Sequence, residues 1–318
     1  MKAAIVLEVG KTPVYGECAE PVAGHGEVRI NVSAAALSNL AKGRASGTHY
    51  SASAEVPFVV GVDGVGCLDD GSRVYFILPK PPLGSMSERT VVRPEQCVAL
   101  PDDLDDVTAA AIANPGMSAW AGLRERAKLQ AGETVLVNGA TGTAGRLAIQ
   151  IAKYMGAKRV IATGRNVEIL NTLSSIGADV TIPLTDDGAA LDQAFVEQFE
   201  KGVDVVIDYL WGRSAERLIT AATKVGNENM PIRFVQVGAI SGPDITLPGS
   251  ALRSIPIELM GSGLGSVPGD RLVKSIAELM QAAVPGRFEI ATQTFPLSDV
   301  EGTWSTAGTI PRTVFKIA

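Results

Sequence analysis

The segment 134–155 constrains the fold of this 318-residue chain more than any other part of it. It opens with an apolar stretch at 134–138, passes through the small residues of 139–145 and continues at helical spacing to Met155. Small residues permit a tight turn from a strand into a helix and let the two elements pack closely. The segment therefore predicts the first strand and helix of a parallel sheet.

The alternation of strand and helix continues to residue 260. Strands are predicted at 159–163, 180–182, 203–208, 233–237 and 257–260. Helices are predicted at 167–176, where Gly177 is a natural C-cap, and at 214–224. Strands that alternate with helices of this length predict a doubly wound parallel sheet.

A different pattern precedes residue 118. Short alternating stretches, separated by Gly and Pro, predict strands at 2–7, 27–34, 58–65, 72–76 and 87–92. Their density predicts a small β-rich domain. The C-terminal tail adds a helix at 269–283 and strands at 288–295 and 312–317, and we expect it to rejoin this domain.

The glycine-rich turn after the first of the parallel strands fits the pattern A-x-G-x-x-G. Gly142 lets the backbone approach a pyrophosphate, Gly145 lets the helix pack on the strand, and the N–H groups at the helix start face the anion. We therefore predict dinucleotide binding by the six residues of the turn, Ala140, Thr141, Gly142, Thr143, Ala144 and Gly145. The alternative is a turn with a purely structural role.

The end of the next strand indicates which dinucleotide binds. In NAD sites an acidic residue about 20 positions past the glycines holds the ribose 2′-OH, whereas this region contains Gly164, Arg165 and Asn166. A guanidinium suits a 2′-phosphate, so NADPH is expected unless Arg165 is only a solvated loop residue. Gly238 and Gly261 follow the fifth and sixth strands, where glycine lets a flat ring approach the backbone.

Charge and composition exclude several classes of partner and site. The net charge is −6 and no block of Lys or Arg occurs, so neither nucleic acid nor an anionic membrane is expected as a partner. The few cysteines and histidines are scattered: they are Cys18, Cys67, Cys97, His25 and His49. This disfavours a zinc site of nitrogen and sulfur ligands and leaves a carboxylate site open.

No apolar run approaches the roughly 18–20 residues of a membrane helix, and the N-terminal segment alternates like a strand. We expect a cytoplasmic protein.

Five short motifs follow one another along the chain. They are G-E-V-R-I-N-V at 26–32, G-V-D-G-V-G at 61–66, G-S-M-S-E at 84–88, A-T-G-T-A-G at 140–145 and V-D-V-V-I-D at 203–208. Each is modest alone, but in this order they resemble the medium-chain dehydrogenase/reductase superfamily over essentially the whole chain. The pattern is closest to the quinone oxidoreductases of that superfamily.

The resemblance implies an α/β fold with two domains. A GroES-like, β-rich catalytic domain would comprise residues 1–118 and 263–318, and a Rossmann domain with a doubly wound parallel sheet would comprise 119–262. Catalysis would occur in the cleft between these domains. The strand at 257–260 resembles the edge strand through which members of the superfamily dimerise, so a homodimer is expected.

The resemblance also indicates a reductase that works without zinc. The three positions that ligate the catalytic metal in zinc-dependent relatives correspond to Ser38, Val62 and Pro115, which cannot form that ligand set, and Asp63 alone cannot hold zinc. The four-cysteine lobe of those relatives is missing from this sequence. Quinones and α,β-unsaturated carbonyls need less polarisation than alcohols, because conjugation spreads the charge after hydride addition. The expected activity is NADPH-dependent reduction of such a small molecule.

The catalytic candidates are Ser38, His49 and Tyr50. Many quinone oxidoreductases carry Asn at the position of Ser38, and here Asn39 is next to it; the run 46–50 resembles their S-G-x-Y with His49 inserted. Tyr50 could deliver a proton, or it could be a packed aromatic residue, and His49 could be a surface loop residue.

We expect this polar group to face Gly142, Gly238 and Gly261 across the cleft. The alternative for the whole chain is an NADPH-binding redox sensor or structural protein with little turnover.

Overall fold

The computed structural model describes residues 1–52, 55–184, 188–226, 228–229, 231–306, 308 and 310–317. The chain divides into two compact units, one of Met1–Asn114 with Val273–Ala318 and one of Pro115–Leu272. The sequence-based boundaries at 118 and 262 lie four residues after the first division and ten before the second. Both divisions fall inside helices, so no change in composition marks them in the sequence.

The described residues form sixteen strands and nine α-helices. The strands are β1 (Lys2–Val6), β2 (Val14–Glu17), β3 (Val28–Ala36), β4 (Phe58–Val59), β5 (Asp63–Leu68), β6 (Arg73–Ile77), β7 (Arg89–Val92), β8 (Cys97–Ala99), β9 (Thr134–Asn138), β10 (Arg159–Gly164), β11 (Val180–Pro183), β12 (Val205–Asp208), β13 (Ile232–Gln236), β14 (Ile257–Gly261), β15 (Thr292–Pro296) and β16 (Arg312–Lys316). The helices are α1 (Asn39–Ala45), α2 (Asp106–Ala121), α3 (Thr143–Tyr154), α4 (Val167–Thr172), α5 (Gly188–Glu200), α6 (Gly212–Val225), α7 (Ala251–Ser254), α8 (Gly269–Ala283) and α9 (Val300–Trp304).

The first unit is built on two β-sheets. A small antiparallel sheet has the order β2-β1-β4, and a larger one has the order β15-β16-β3-β5-β6-β8 with β7 also paired to β3. The C-terminal strand β16 pairs antiparallel with β3, so the tail joins the sheet of the N-terminal strands. Ile30, Phe76, Met86 and Phe315 are fully buried in the core beneath these strands.

The second unit is a parallel sheet of six strands in the order β11-β10-β9-β12-β13-β14. The strand order reverses between β9 and β12, which is the arrangement of the Rossmann fold. The predicted fold class, a β-rich domain plus a doubly wound parallel sheet, is confirmed. Leu136, Ile161, Val206 and Phe234 form part of a core on the sheet.

Several predicted elements differ from the observed ones. The strand predicted at 58–65 is split into β4 and β5, because Gly61 between them has a left-handed φ of +103°. The helix predicted at 167–176 is α4 followed by a 3-10 turn, Leu173–Ile176, which ends at left-handed Gly177. Helix α5 was not predicted, although Leu191, Phe195 and Phe199 bury one of its faces.

None of the helices in the described ranges has the length and apolar character needed to cross a membrane.

Candidate functional site

The predicted cofactor residues of the second unit lie along one edge of its sheet. Asn138 at the end of β9 is in register with Thr163 of β10 and Asp208 of β12, and Asp208 is in register with Gln236 of β13. Gln236 in turn is level with Gly261 of β14. The carboxyl ends of these strands therefore form one row, which is where ligands bind in open parallel sheets.

The turn from β9 into α3 is held by the backbone. Gly139 has a φ of +93°, and the N–H of Ala140 donates to the carbonyl oxygen of Thr163 at 2.7 Å. A Cβ added to Gly145 would lie 2.4 Å from the oxygen of Gly139. Any side chain at 145 would therefore push the helix away from the turn.

Gly142, the residue before α3, stands in open space. A Cβ there would meet only the oxygen of Gly139, at 3.8 Å, and Gly142 provides no side-chain cap to the helix. The N–H groups of Ala144 and Gly145 are in the first turn and cannot bond within the helix. N–H donors that are not bonded within the helix, the positive end of the helix dipole and room over a glycine are the features that a pyrophosphate requires.

The residues after β10 have three different roles. A Cβ on Gly164 would lie 2.3 Å from Cγ2 of Thr141, so the absence of a side chain lets Thr141 pack there. Asn166 caps α4, since its Oδ1 accepts the N–H of Ile169 at 3.0 Å. Arg165 is exposed and has no hydrogen bond or ion pair with any residue that the structure describes, which leaves its guanidinium available to a ligand.

The two glycines beyond β13 and in β14 also differ. Gly238 donates its N–H to the oxygen of Asp208 at 3.1 Å, and a Cβ there would lie 2.9 Å from the oxygen of Tyr209. Gly261 has nothing within 4 Å of such a Cβ. Gly238 thus packs against the neighbouring chain segment, whereas Gly261 offers free space at the sheet edge.

A buried polar network that the sequence analysis missed ties the strand ends together. Asn138 donates through Nδ2 to Oδ1 of Asp208 at 2.7 Å and to Oγ of Ser214 at 3.0 Å. Its Oδ1 accepts the hydroxyl of Thr163 at 2.6 Å. One amide side chain therefore joins β9, β10, β12 and α6. The signal in the sequence was a polar residue at the end of each apolar strand.

Asp208 also fixes the turn that follows β12. Its carboxylate accepts the N–H of Leu210 at 2.9 Å and that of Trp211 at 3.1 Å. Burial raises the pKa of Asp208, while these donors and Asn138 act in the opposite direction. Trp211 has a φ of +58°, a backbone conformation that is unfavourable for a bulky residue. The hydrogen bonds to Asp208 hold the backbone in this conformation.

Helix α1 of the first unit begins at the predicted catalytic candidates. Ser38 is buried, with 2 % of its surface exposed, and its Oγ accepts the N–H of Ala41 at 3.0 Å. Ser38 is therefore the N-cap of α1, a role for which serine is strongly preferred. Asn39 beside it is exposed.

His49 has a defined tautomer. Its Nδ1 accepts the backbone N–H of Ser51 at 3.1 Å and lies 2.8 Å from Oγ of Ser51, which itself accepts Nε of Arg44 at 2.9 Å. Because Nδ1 is an acceptor, the ring proton is on Nε2. Burial and the nearby charge of Arg44 lower the pKa of His49, so a neutral imidazole with an N–H donor is favoured.

Tyr50 is next to this imidazole. Its ring centroid lies 4.2 Å from that of His49, and 74 % of its surface is exposed. The structure therefore brings His49 and Tyr50 together and leaves the Tyr50 ring largely accessible.

The positions that correspond to metal ligands in zinc-dependent relatives have other chemistry here. Val62 is apolar and buried, and Pro115 lies inside α2. Asp63 is buried and accepts the hydroxyl of Tyr75 at 2.8 Å, and burial raises its pKa to about 6. Across the described ranges of the chain, no three His, Cys, Asp or Glu side chains are grouped so that they could hold a metal ion.

Comparison with known proteins agrees with this architecture. The family of zinc-binding dehydrogenases matches residues 144–282, a range that contains none of Ser38, Val62 and Pro115. A probable NADPH-dependent quinone reductase of Emericella nidulans is 28 % identical over 92 % of each chain. A 2-methylene-furan-3-one reductase of Solanum lycopersicum is 34 % identical over 63 % of this chain and 56 % of that protein.

A solved structure shows the same fold. The quinone oxidoreductase of Thermus thermophilus, determined also in complex with NADPH, has a TM-score of 0.80 and 25 % identity, with 99 % of this chain and 100 % of that chain covered. Its similarity extends over both units, as do the five sequence motifs. The family match, the relative from Emericella nidulans and the shared fold support a quinone oxidoreductase-like protein of the medium-chain dehydrogenase/reductase superfamily.

Proposed function

We propose that this protein is an NADPH-dependent reductase that acts on quinones or other α,β-unsaturated carbonyl compounds and does not use zinc. The observation that carries the proposal is the cradle between β9 and α3, where open space over Gly142 meets the N–H groups of Ala144 and Gly145, which cannot bond within the helix. The similar proteins include a probable NADPH-dependent quinone reductase and a 2-methylene-furan-3-one reductase. Both names describe reduction of a conjugated carbonyl compound.

NADPH fits the residues at the sheet edge. The turn at 140–145 would hold the pyrophosphate, Gly261 leaves room for a flat ring, and Arg165 would pair with the 2′-phosphate. When bound, NADPH supplies the hydride. The protein contributes orientation and binding, which are the main requirements when a conjugated substrate disperses the negative charge.

Zinc does not fit the corresponding positions. The Oγ of Ser38 is engaged with Ala41, Val62 is a hydrocarbon side chain, and Pro115 has no donor atom in its side chain. Zinc sites in proteins use thiolate, imidazole or carboxylate ligands. The proposal therefore assigns carbonyl activation to hydrogen bonding.

Tyr50 is the proposed proton donor, with His49 as a hydrogen-bond donor beside it. A neutral His49 with a proton on Nε2 donates a hydrogen bond, and the Tyr50 hydroxyl beside it is accessible to water. The proton that completes the reduction would pass from the Tyr50 hydroxyl, or from water, to the substrate. Ser38 would act by holding α1 in place, since its hydroxyl caps that helix.

Turnover tests the proposal. The purified protein with NADPH should reduce phenanthrenequinone, naphthoquinone or octenone, followed as loss of NADPH absorbance. Binding of NADPH without reduction of any of the three would favour a redox sensor or a structural role instead.

Elemental analysis of the same preparation should find no stoichiometric zinc, and activity should survive a chelator.

We also propose a homodimer formed through β14. This strand is at one end of the six-stranded sheet, and Ile257, Leu259 and Met260 are half-buried in a single chain. An unpaired strand edge with apolar neighbours tends to find a partner. Size-exclusion chromatography with light scattering should give twice the chain mass at micromolar concentration, and a monomer would contradict this proposal.

A further inference from the structure

A groove in the first unit is not used by the proposed reaction. It has a volume of about 870 Å³ and lies between α1 and the segments 58–62, 78–83 and 91–96. Ligand pockets are typically about 300–1,000 Å³. Most of its lining is apolar and includes Phe58, Val60, Leu78 and Leu83.

Three cations line this groove and form no ion pairs among the described residues. Arg44, Lys80 and Arg93 each contribute to the lining, and none forms an ion pair with a carboxylate in the described part of the chain. Arg44 is half-buried, and its Nε is held by Oγ of Ser51 at 2.9 Å, whereas Nη1 and Nη2 have no partner among the described residues. A partly desolvated guanidinium with its terminal nitrogens unbonded is an arrangement that an anion would stabilise.

The charge balance of the lining indicates a singly charged anion. Glu27 and Glu95 also line the groove, and Oε2 of Glu27 accepts the N–H of Gly24 at 2.9 Å. Three cations and two carboxylates leave one positive charge. A monocarboxylate would balance that charge, and the two free nitrogens of Arg44 match the fork of a carboxylate.

We propose that this groove binds the carboxylate-bearing apolar tail of the substrate, with the carboxylate on Arg44. The substrate class would be conjugated carbonyl compounds on an aliphatic chain that ends in an acid. This assignment of a substrate class rests on the proposed function. It also draws on the position of Ser51, which contacts both Arg44 and the imidazole of His49 and so joins the groove to the proposed catalytic pair of His49 and Tyr50.

Binding of a tail analogue tests the groove without turnover. Octanoate and octanamide, titrated by calorimetry into the protein without cofactor, differ only in the head group. Octanoate should bind about tenfold more tightly, the lower end of what a charge-assisted hydrogen bond provides. Arg44→Gln should remove this difference, whereas Arg287→Gln, an exposed cation outside the groove, should keep it.

A second variant covers the case in which Arg44→Gln does not fold. Lys80→Gln changes an exposed side chain of the same groove and should weaken octanoate binding roughly threefold. Equal binding of octanoate and octanamide to the unaltered protein would overturn the proposal. Equal octanoate binding by the unaltered protein and folded Arg44→Gln would overturn it as well.

Turnover then separates this inference from the proposed function. Octenone should be compared with the same enone whose tail ends in a carboxylate and with the corresponding amide. A lower KM for the acid, lost in Arg44→Gln, supports the substrate class. Reduction of octenone with no preference for the acid would overturn the substrate class and leave the reductase function standing. Arg44-dependent octanoate binding with no reduction of enones or quinones would support the site and overturn the reductase function.

Discussion

Two buried aspartates, Asp208 in the second unit and Asp63 in the first, have opposite hydrogen-bonding surroundings. Asp208 accepts bonds from Asn138, Leu210 and Trp211. Asp63 accepts one bond on Oδ2, from Tyr75, and its Oδ1 has no partner among the described residues. Burial raises the pKa of both carboxyls, but only Asp208 has several donors that counteract it.

The difference separates a rigid sheet edge in the second unit from a pH-sensitive carboxyl in the first. The bonds of Asp208 fix the end of β12 and the start of α6, so the sheet edge presents rigid backbone to a ligand. Asp63 is the first residue of β5. The guanidinium of buried Arg312 nearby also lacks hydrogen bonds, since its Nε and Nη2 have no partner in the described part of the chain. A buried carboxyl with few hydrogen-bond donors around it retains its proton more readily, so the stability of the first unit depends on pH.

The largest effect is expected from Asp208→Ala. The substitution removes the carboxylate oxygens that accept the N–H groups of Leu210 and Trp211. Two donors left unsatisfied, at about 1–3 kcal/mol each, give a loss of roughly 2–6 kcal/mol in the free energy of unfolding. Urea denaturation measures it, with exposed Asp244→Ala as the control. Stability equal to that of the control would contradict the structural role of Asp208.

Asp63→Asn should act through pH. The pKa of Asp63 is raised from 3.8 to about 6 in the folded protein, so between these values the folded chain keeps a proton that the unfolded chain has lost. The carboxyl therefore loses stabilising free energy as pH rises from about 4 to 6, and the loss is about 3 kcal/mol.

The stability of Asp63→Asn relative to the unaltered protein should thus rise by about 3 kcal/mol between pH 4 and pH 7. Urea denaturation at both pH values tests this, and the exposed Asp69→Asn serves as the control. A constant difference across this range would mean that Asp63 titrates normally.

The sequence predicted the sheet edge well because backbone requirements specify it. Residues 134–138 and 269–283 were predicted with their observed bounds, and the A-x-G-x-x-G turn lies between a strand and a helix as expected. The network of Asn138, Thr163 and Asp208 was not predicted, because its partners are about 25 to 70 positions apart in sequence and meet only once the strand order is known.

The first unit was harder to predict because side chains from distant segments build its candidate sites. Helix α1 has seven residues and contains Gly43, so its periodicity is too short to identify. Ser38, His49 and Tyr50 were named from a resemblance, and their assignment as catalytic residues stays a prediction. The contact of Ser51 with Arg44 and His49 depends on a loop conformation that no local pattern specifies.

Arg165→Ala tests whether the sheet edge selects NADPH. Arg165 is exposed and without a partner among the described residues, so its removal should leave stability nearly unchanged. Loss of a charge-assisted bond to the 2′-phosphate should weaken NADPH binding about 10- to 100-fold and leave NADH binding unaffected. Titration of both nucleotides decides, with the exposed Arg253→Ala as the matched control. Equal affinities for NADH and NADPH in the unaltered protein would remove the basis for this role.

The smallest effect should come from Tyr50→Phe in the first unit. Its ring contacts that of His49 and 74 % of its surface is exposed, so the hydroxyl is replaceable by water and the aromatic contact survives in phenylalanine. Loss of a general acid costs about 10²–10⁴-fold, but a donor that water can replace should cost only about tenfold in kcat. NADPH affinity should be unchanged, since the cofactor candidates belong to the other unit. His49→Gln provides the comparison, because it keeps an N–H donor but lacks the imidazole. Unchanged turnover in both variants would show that the proton comes from elsewhere.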